Sequence, residues 1–315
     1  MAAPTPVPPV NLPVDAGPHD VLTEWWYFTG HLRSASGDEY GFEFTIFQAR
    51  RQNAPSGYLA HFAITDVGEG RFSHQARVAQ GEPRLSFPLD VDGWRLSRDG
   101  VIELIEAEMR PGPGVEAPYA LRLRLVDRKP AALHHGGYID YGPPGGSYYY
   151  SRTRIQAEGE LDVGAGDWRA VQGEAWMDHQ WGNFVVADGG WDWYSLQLND
   201  GTELMLYVLR GESGEVTGVY GSEVDGSGQT HELPPGAVHA EALSTWTSPH
   251  TGAVYPSGWR IWLPSGEQLR LTPVLLDQEL YFPGSEGIAY WEGAVTVDGD
   301  RGGRGYVELT GYADR

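Results

Sequence analysis

Short runs of aromatic and β-branched residues, separated by turn residues, recur along the whole chain. In residues 40–47, Phe42 and Ile46 fall on one face of an extended segment, whereas Glu43 and Thr45 fall on the other. Apolar positions at every second residue, with Gly, Asp, Asn and Ser between the runs, are typical of β-strands joined by tight turns. The sequence therefore predicts an all-β protein. We expect strands at residues 25–31, 39–48, 58–66, 101–108, 119–126, 148–156, 171–177, 191–198, 203–209, 259–263, 268–276, 288–297 and 306–311.

The two halves of the chain resemble each other. The matching segments are 25–32 with 191–198, 40–47 with 202–209, Gly93-Trp94 with Gly258-Trp259, 150–162 with 290–298, and 171–178 with 307–314. Because the matches keep the same order, they indicate two copies of one β module.

The repeat predicts the domain organisation. We expect a Pro-rich leader at residues 1–17, one β domain at residues 18–184 and a second at residues 185–315. About eight strands in each copy suit an antiparallel barrel, which removes free strand edges and encloses a small cavity. Ligands favour barrel mouths and domain interfaces, so this architecture predicts a small-molecule binding protein.

Charge and composition exclude several classes of protein. The chain carries 22 Lys and Arg against 43 Asp and Glu, a net charge of −21, and Lys129 is its single lysine. An acidic surface of this kind repels nucleic acid and anionic membranes, and no apolar run is long enough for a membrane span. With no cysteine, the chain has no disulfide, zinc thiolate or cysteine nucleophile.

Motif searches predict neither a cofactor nor a metal. The sequence contains no HExxH, EF-hand loop, GxSxG, P-loop or dinucleotide-binding fingerprint. We expect a monomer that binds a hydrophobic small molecule. The start of the chain lacks the basic and apolar regions of a signal peptide, and the cellular location is left open between cytoplasm and export.

The first candidate site is the aromatic run near the start. In an extended chain, Glu24 and Trp26 share one face, while Trp25 and Tyr27 share the other. These aromatic side chains either pack in the core or form the wall of a pocket for a flat, apolar or cationic ligand. In the second case Glu24 is an acid or a hydrogen-bond acceptor at the rim.

The second candidate is the segment around His179. Asp178 and His179 point to opposite faces of a strand, whereas His179 and Trp181 share one face. An imidazole beside an indole can donate a proton near an unsaturated substrate, and the indole can stabilise a developing positive charge. The alternative is a structural histidine bonded to the backbone.

Two further segments combine charge with aromatic residues. Asp192 lies between Trp191 and Trp193, where burial would favour a protonated carboxyl group, unless Asp192 is a surface residue. Arg152 and Arg154 end an aromatic strand, and we expect them on one face, paired with carboxylates; the less favoured alternative is a site for an anionic group of a ligand.

These segments together resemble a known family. Glu24-Trp25-Trp26-Tyr27, Tyr149-Tyr150-Ser151-Arg152, Trp176-Met177-Asp178-His179-Gln180-Trp181-Gly182 and Trp191-Asp192-Trp193 are similar, in this order, to the carotenoid 1,2-hydratase / AttH-like family. Fungal relatives of the same build include Diels–Alderases and a kievitone hydratase. The resemblance implies two tandem lipocalin-like antiparallel β-barrel domains that act on a hydrophobic ligand without a cofactor.

The family also implies a chemistry and a site. In its hydratases an acid protonates a terminal isoprenoid C=C bond, aromatic residues shelter the carbocation, and water adds to it. The family's His-x-Trp matches His179 and Trp181, but its Tyr-x-Asp acid motif has no match, since Tyr207 is followed by Val208 and Leu209. The proton would then come from another acid. The predicted catalytic residues are Asp178, His179, Asp192 and Glu24.

The predicted substrate-binding residues are all aromatic. They are Trp25, Trp26, Tyr27, Tyr149, Tyr150, Trp181, Trp191, Trp193, Tyr194 and Tyr207. The sequence favours a hydratase acting on an isoprenoid or polyene. It leaves open a non-catalytic carrier of a hydrophobic molecule and a cyclase of the Diels–Alderase type. A glycan-binding protein is the least favoured alternative, because no two carboxylates are recognisably spaced for sugar chemistry.

Overall fold

The protein is described by a computed structural model that covers residues 7–51, 54–142, 145–184, 189–282 and 289–313. These residues form β-strands and one 3-10 turn, Val14–Ala16. Within them, no helix is long and apolar enough to cross a membrane. The predicted all-β fold class is confirmed.

The first sheet has eleven strands, all paired antiparallel. They are β1 (Thr23–Ser34), β2 (Glu39–Ala49), β3 (Ser56–Asp66), β4 (Arg71–Gly81), β5 (Leu89–Val91), β6 (Trp94–Asp99), β7 (Ile102–Glu108), β8 (Ala120–Asp127), β9 (Ala132–Asp140), β10 (Gly146–Asp162) and β11 (Trp168–Gly182). Their order is β4-β3-β2-β1-β11-β10-β8-β7-β6-β5, with β9 beside β10.

The two ends of this sheet meet. The guanidinium of Arg77 on β4 lies 4.5 Å from the centre of the Trp94 ring on β6. The same guanidinium donates a hydrogen bond of 2.7 Å to the backbone carbonyl of Glu108 on β7. The sheet therefore curves into a nearly closed barrel.

The second sheet has ten strands and forms a half-barrel. They are β12 (Gly190–Leu198), β13 (Glu203–Arg210), β14 (Val216–Val224), β15 (Thr230–Glu232), β16 (His239–Thr247), β17 (Val254–Trp262), β18 (Gln268–Pro273), β19 (Glu279–Tyr281), β20 (Ala289–Gly299) and β21 (Gly303–Leu309). Their order is β15-β14-β13-β12-β21-β20-β18-β17-β16, with β19 beside β20. The two sheets match tandem lipocalin-like barrels.

The two sheets repeat the same strand order. In each, the first strand (β1 or β12) pairs with the second and with the last strand of its sheet. Trp94 and Trp259, which the sequence matched, do not lie on corresponding strands. Trp94 lies on β6, whereas Trp259 lies on β17, the strand whose position in the second sheet corresponds to β7 in the first. Both indoles are buried in their barrels, so the similarity reflects a shared need for a large core side chain.

The change from one sheet to the other falls between Gly182 and Gly190. The domain boundary predicted after residue 184 lies beside residues 185–188, which are outside the described part, and it stays a prediction. Of the predicted leader, residues 1–6 are also outside it. Ala16 at the end of the leader is buried, and its carbonyl accepts a hydrogen bond of 3.3 Å from the Trp26 indole.

The sequence missed several strands whose side chains show no simple alternation. Strand β16 is an edge strand with most of its side chains exposed, so it needs no apolar face. Strands β9 and β14 contain glycines within their span, and β4 is rich in polar residues at the end of its sheet. Patterns of this kind do not stand out from loops.

Among the described residues, buried apolar side chains form four clusters, the smallest of which joins the first sheet to the second through Ala63, Phe72, Leu280 and Tyr290. One fills the first barrel around Trp26 and Phe44, and a second fills the half-barrel around Tyr194 and Trp259. The third lies between the two sheets and contains aromatic residues from both. The two halves of the chain meet at this cluster and at the smallest one.

Candidate functional site

The alternation of β1 and β11 divides the predicted site residues between two faces. Glu24 and Trp26 on β1 point into the first barrel, as do His179 and Trp181 on β11. Tyr27 and Asp178 stand opposite each other in the register of the two strands. Their side chains point away from the barrel interior, toward the second sheet.

The predicted substrate-binding residues fall into three groups. Between the sheets lie Trp25, Tyr27, Tyr149, Trp191, Trp193 and Tyr207. Inside the first barrel lie Trp26, Tyr150 and Trp181, and inside the second lies Tyr194. The structure therefore does not collect all of them around one ligand.

Inside the first barrel, Glu24 is the centre of a hydrogen-bonded cluster. Its Oε1 lies 2.9 Å from Nε2 of His179 and 2.7 Å from Nδ1 of His19. Its Oε2 accepts a bond of 2.8 Å from the backbone N–H of His19. Burial raises the pKa of the Glu24 carboxyl, but the hydrogen bonds from His179 and His19 outweigh it and hold the pKa below its usual value.

Aromatic rings enclose this cluster. The Trp26 ring stacks on His179 at 4.8 Å, and the Trp181 ring stacks on His19 at 4.3 Å between centroids. Nδ1 of His179 lies 3.2 Å from the Tyr150 hydroxyl. Burial lowers the pKa of His179, and its bond with Glu24 offsets only part of this shift. His19 was not among the predicted site residues.

The second cluster lies between the sheets, and we call it the interface layer. Its aromatic members are Tyr27, Tyr149, Trp176, Trp193 and Tyr306, with Trp25, Trp191 and Tyr207 partly exposed at its margin. Its carboxyl groups belong to Glu43, Asp178, Glu292 and Glu308. Carboxyl groups among aromatic rings are a setting in which protonated acids persist.

Cross-strand register explains how the acids come together. Glu308 on β21 lies between Trp193 on β12 and Glu292 on β20, so these three side chains point to the same side of the second sheet. From the first sheet, the Tyr27 hydroxyl donates a bond of 2.7 Å to Oε1 of Glu292. The layer therefore joins the two halves of the chain.

Burial and neighbouring carboxylates shift the pKa values in this layer. Burial, with a contribution from Glu308, raises the pKa of Glu43 to about 8. Burial also raises the pKa of Glu308 to about 7, against the hydrogen bond from Trp191. For Glu292, burial and then the charges of Glu308 and Glu43 raise the pKa well above its usual value.

Asp178 and Glu308 differ in how many hydrogen bonds their oxygens accept and in how far solvent reaches them. Asp178, whose pKa burial raises to about 6, accepts bonds of 2.7 Å from both Tyr149 and Trp176, and a third from Ser151. Its hydrogen-bonding capacity is therefore largely used. Glu308 is partly exposed and accepts one bond of 2.7 Å, from the Trp191 indole to its Oε2.

Asp192 lies apart from both clusters. It is on the inner face of the half-barrel, where Arg210 donates a bond of 3.1 Å and Tyr312 one of 3.0 Å to its Oδ1. Its surroundings are thus ionic and not the apolar setting that its two tryptophan neighbours indicated. Trp191 and Trp193 point to the other side of β12, as alternation requires.

The two arginines pair with carboxylates as predicted. Arg152 lies 2.8 Å from Glu103 inside the first barrel, and Arg154 lies 2.6 Å from Glu203 of the second sheet. The prediction that they share a face is wrong, because the register of β10 shifts between Arg152 and Ile155. Such a bulge reverses the direction of the side chains that follow it.

Three acids of the interface layer were not predicted from the sequence: Glu43, Glu292 and Glu308. Each has apolar residues on at least one side within a strand that is otherwise largely buried. A lone carboxyl group in such a strand is the signal that could have identified them. Their proximity to one another depends on pairing between distant strands, which the sequence does not show.

A nearly closed antiparallel β-barrel and a half-barrel, which match tandem lipocalin-like barrels, define the class of this protein together with the acidic, aromatic layer between them. The sequence model of the AttH-like family matches residues 3–312, and the chain belongs to that family. No curated protein sequence matches the chain significantly.

Two crystal structures show the same build. A Nitrosomonas europaea protein assigned to AttH is 33% identical, each chain covers 99% of the other, and the TM-score is 0.88. Kievitone hydratase from Nectria haematococca is 17% identical, with 98% of this chain and 95% of that chain covered and a TM-score of 0.77. At that identity the second likeness concerns the fold.

Proposed function

We propose that the protein is a hydratase that adds water to a C=C bond of a hydrophobic isoprenoid or polyene at the interface layer. The observation that carries the proposal is Glu308: a partly exposed carboxyl group, among aromatic rings, whose pKa burial raises to about 7. A general acid is most effective when its pKa lies near the working pH.

The proposed reaction needs only an acid, aromatic faces and water. The Glu308 carboxyl donates its proton to one alkene carbon, and the other carbon becomes a tertiary carbocation. The faces of Trp191 and Trp193 stabilise that charge by cation–π attraction. Water forms the new C–O bond and loses a proton to the Glu308 carboxylate, which restores the acid and releases a tertiary alcohol.

The other carboxyl groups of the layer support this acid. The charges of Glu308 and Glu43 both act to raise the pKa of Glu292, so the group cannot easily ionise as a whole. Asp178, which the sequence predicted as an acid, is held by three hydrogen-bond donors and contributes its charge to the field at Glu308. In this proposal Asp178 holds Tyr149 and Trp176 in place, and its charge helps to raise the pKa of Glu308.

The remaining predicted catalytic residues face elsewhere. His179 and Glu24 lie inside the first barrel, on the opposite face of β11 and β1, and Asp192 is paired with Arg210. The proposal therefore places none of them at the reacting bond. The kievitone hydratase fold similarity supports the reaction class without naming the substrate.

Substitution of Glu308 tests the proposal. The purified chain is incubated with a panel of isoprenoid alkenes in ¹⁸O-labelled water, and the products are analysed by mass spectrometry. We expect a labelled tertiary alcohol from the wild type and a loss of roughly 100-fold or more in E308Q. The exposed Glu106 provides the control variant, E106Q, which keeps full activity.

Each other outcome contradicts the reaction or the role of Glu308. Tight binding of the alkenes, read by quenching of tryptophan fluorescence, without any product would indicate a carrier. An isomeric product without labelled oxygen would indicate a cyclase. Full activity in E308Q would remove Glu308 as the acid.

A further inference from the structure

The cluster inside the first barrel has a feature that the hydratase chemistry does not use. Among the described residues, His19, Glu24 and His179 form a group whose possible ligand atoms all lie within 4.8 Å of one another. They are an imidazole Nδ1, a carboxylate oxygen and an imidazole Nε2. Two histidines and one carboxylate are a common ligand set for divalent transition metals.

We propose that His19, Glu24 and His179 bind one divalent transition metal ion, with Zn²⁺ as the best fit. Ligand atoms about 2.0–2.2 Å from a tetrahedral zinc lie about 3.3 Å from each other. Here Oε1 of Glu24 lies 2.7 Å from Nδ1 of His19 and 2.9 Å from Nε2 of His179. The Glu24 oxygen needs to move about half an ångström from each nitrogen, and the three ligand atoms all lie within 4.8 Å of one another, so small side-chain shifts bring them to the spacing of metal ligands.

Groups around the cluster contact each of its three members on the side away from the shared Oε1. Nε2 of His19 lies 3.5 Å from Oδ1 of Asp15, and Nδ1 of His179 lies 3.2 Å from the Tyr150 hydroxyl. Oε2 of Glu24 accepts the backbone N–H of His19, which leaves Oε1 for the ion. A carboxylate behind a ligating histidine fixes its tautomer and raises its basicity.

The contact with Asp15 fits a His19 ring that ligates through Nδ1. With a metal on Nδ1, Nε2 carries the proton and faces Asp15 as a donor. The geometry on both sides of His19 thus suits a ligating ring.

The site has an open side. His19 and Asp15 are 21% and 23% exposed, whereas Glu24 and His179 are fully buried, so an ion can reach the cluster past His19. The ion would tie the segment that contains Asp15 and His19 to β1 and β11. This inference is independent of the proposed function, because the cluster and Glu308 lie on opposite sides of the first sheet wall.

Metal binding by the full, tag-free chain tests the inference. After removal of metals with a chelator, we expect uptake of one Zn²⁺ per chain by calorimetry and elemental analysis. Co²⁺ in its place should give the visible absorption bands of a four-coordinate ion. Zn²⁺ should also raise the melting temperature, since an ion that binds only the folded chain stabilises it.

Three variants make the test specific. H19A should lose the Co²⁺ bands, and D15N should weaken Zn²⁺ binding by roughly 10- to 100-fold. H231A is the matched control, because His231 is an exposed histidine 3.2 Å from Asp225, and it should bind as the wild type does. Circular dichroism confirms that each variant is folded. Absence of Zn²⁺ uptake by the wild type, or unchanged Co²⁺ bands in folded H19A, would overturn the inference.

Discussion

Glu292 and Glu308 stand directly opposite each other on the neighbouring strands β20 and β21, facing the first sheet. Like charges in this arrangement repel, and the charge of Glu308 is the largest contribution after burial to the raised pKa of Glu292. The repulsion therefore favours a state in which the pair holds a proton. The proposed reaction needs this proton, because the Glu308 carboxyl donates it to the alkene.

The rate of the proposed reaction should fall as the pH rises through the pKa of Glu308. Burial raises this pKa to about 7, and only the protonated carboxyl can donate. We expect kcat/KM to be constant below that pH and to decrease by about tenfold per pH unit above it. A pH–rate profile with the alkene substrate measures this. A profile that is flat between pH 5 and pH 9 would contradict the role of Glu308.

Removal of the Trp191 indole N–H should move that profile to higher pH. The indole donates a bond of 2.7 Å to Oε2 of Glu308, and this bond lowers the pKa of the carboxyl. In W191F a smaller aromatic ring replaces the indole and the donor is lost, so the alkaline limb should shift upward. W168F, at a partly exposed tryptophan of the barrel surface, is the control that should leave the profile in place.

Replacement of Glu43 by glutamine should remove part of the pH dependence of stability. Burial raises the pKa of Glu43 in the folded chain to about 8 from an ordinary value of 4.5, so the folded state holds the proton more tightly. The stabilisation is complete below about 4.5 and is lost as the pH rises through about 8. Compared with the wild type, E43Q should therefore gain stability at pH 8 relative to pH 5.

Urea denaturation at a series of pH values measures this difference. Because Glu292 and Glu308 also have raised pKa values, both proteins should lose stability as the pH rises, and only the difference between them reports on Glu43. An equal pH dependence in the two proteins would show that Glu43 ionises normally in the folded chain.

Loss of the charge on Glu203 should destabilise the contact between the sheets. The fully buried Glu203 on β13 lies 2.8 Å from the Lys129 ammonium and 2.6 Å from the Arg154 guanidinium, both from the first half of the chain. E203Q removes the one carboxylate that Lys129 and Arg154 share, although Arg154 keeps its pair with Glu174, and should cost roughly 3–5 kcal/mol of unfolding free energy.

A surface pair provides the control for this measurement. Glu160 lies 4.0 Å from Arg122, and both side chains are more than half exposed. E160Q should cost less than about 1 kcal/mol in the same denaturation experiment. If the two variants lose similar amounts of stability, the Glu203 cluster does not hold the sheets together.

Alternation along single strands predicted much of this site. It separated Glu24 and Trp26 from Trp25 and Tyr27, and it placed Asp178 and His179 on opposite faces, as the structure has them. It did not show which face of β1 lies inside the barrel, because both faces carry large aromatic side chains. When both faces of a strand are buried, both carry apolar side chains, and the alternation no longer shows which face lies inside the barrel.

The sequence did not predict the contacts between distant strands. Glu292 and Glu308 are sixteen residues apart and meet because β20 pairs with β21, while Tyr27 reaches Glu292 from the other sheet. The β-bulge after Arg152 likewise has no mark in the sequence, yet it sends Arg154 to the second sheet. Register, bulges and the docking of one sheet on another arise from the whole fold.

One face of β1 and β11 lines the barrel and the other faces the interface layer. These strands should therefore tolerate substitutions better than insertions or deletions. Point substitutions at Trp25 or Tyr27 can reshape the ligand environment while Glu24 and Trp26 keep their surroundings. Deletion of a single codon within either strand would exchange the two sets of side chains. Variation in this family should therefore proceed by substitution in these strands, and by insertion and deletion in the loops.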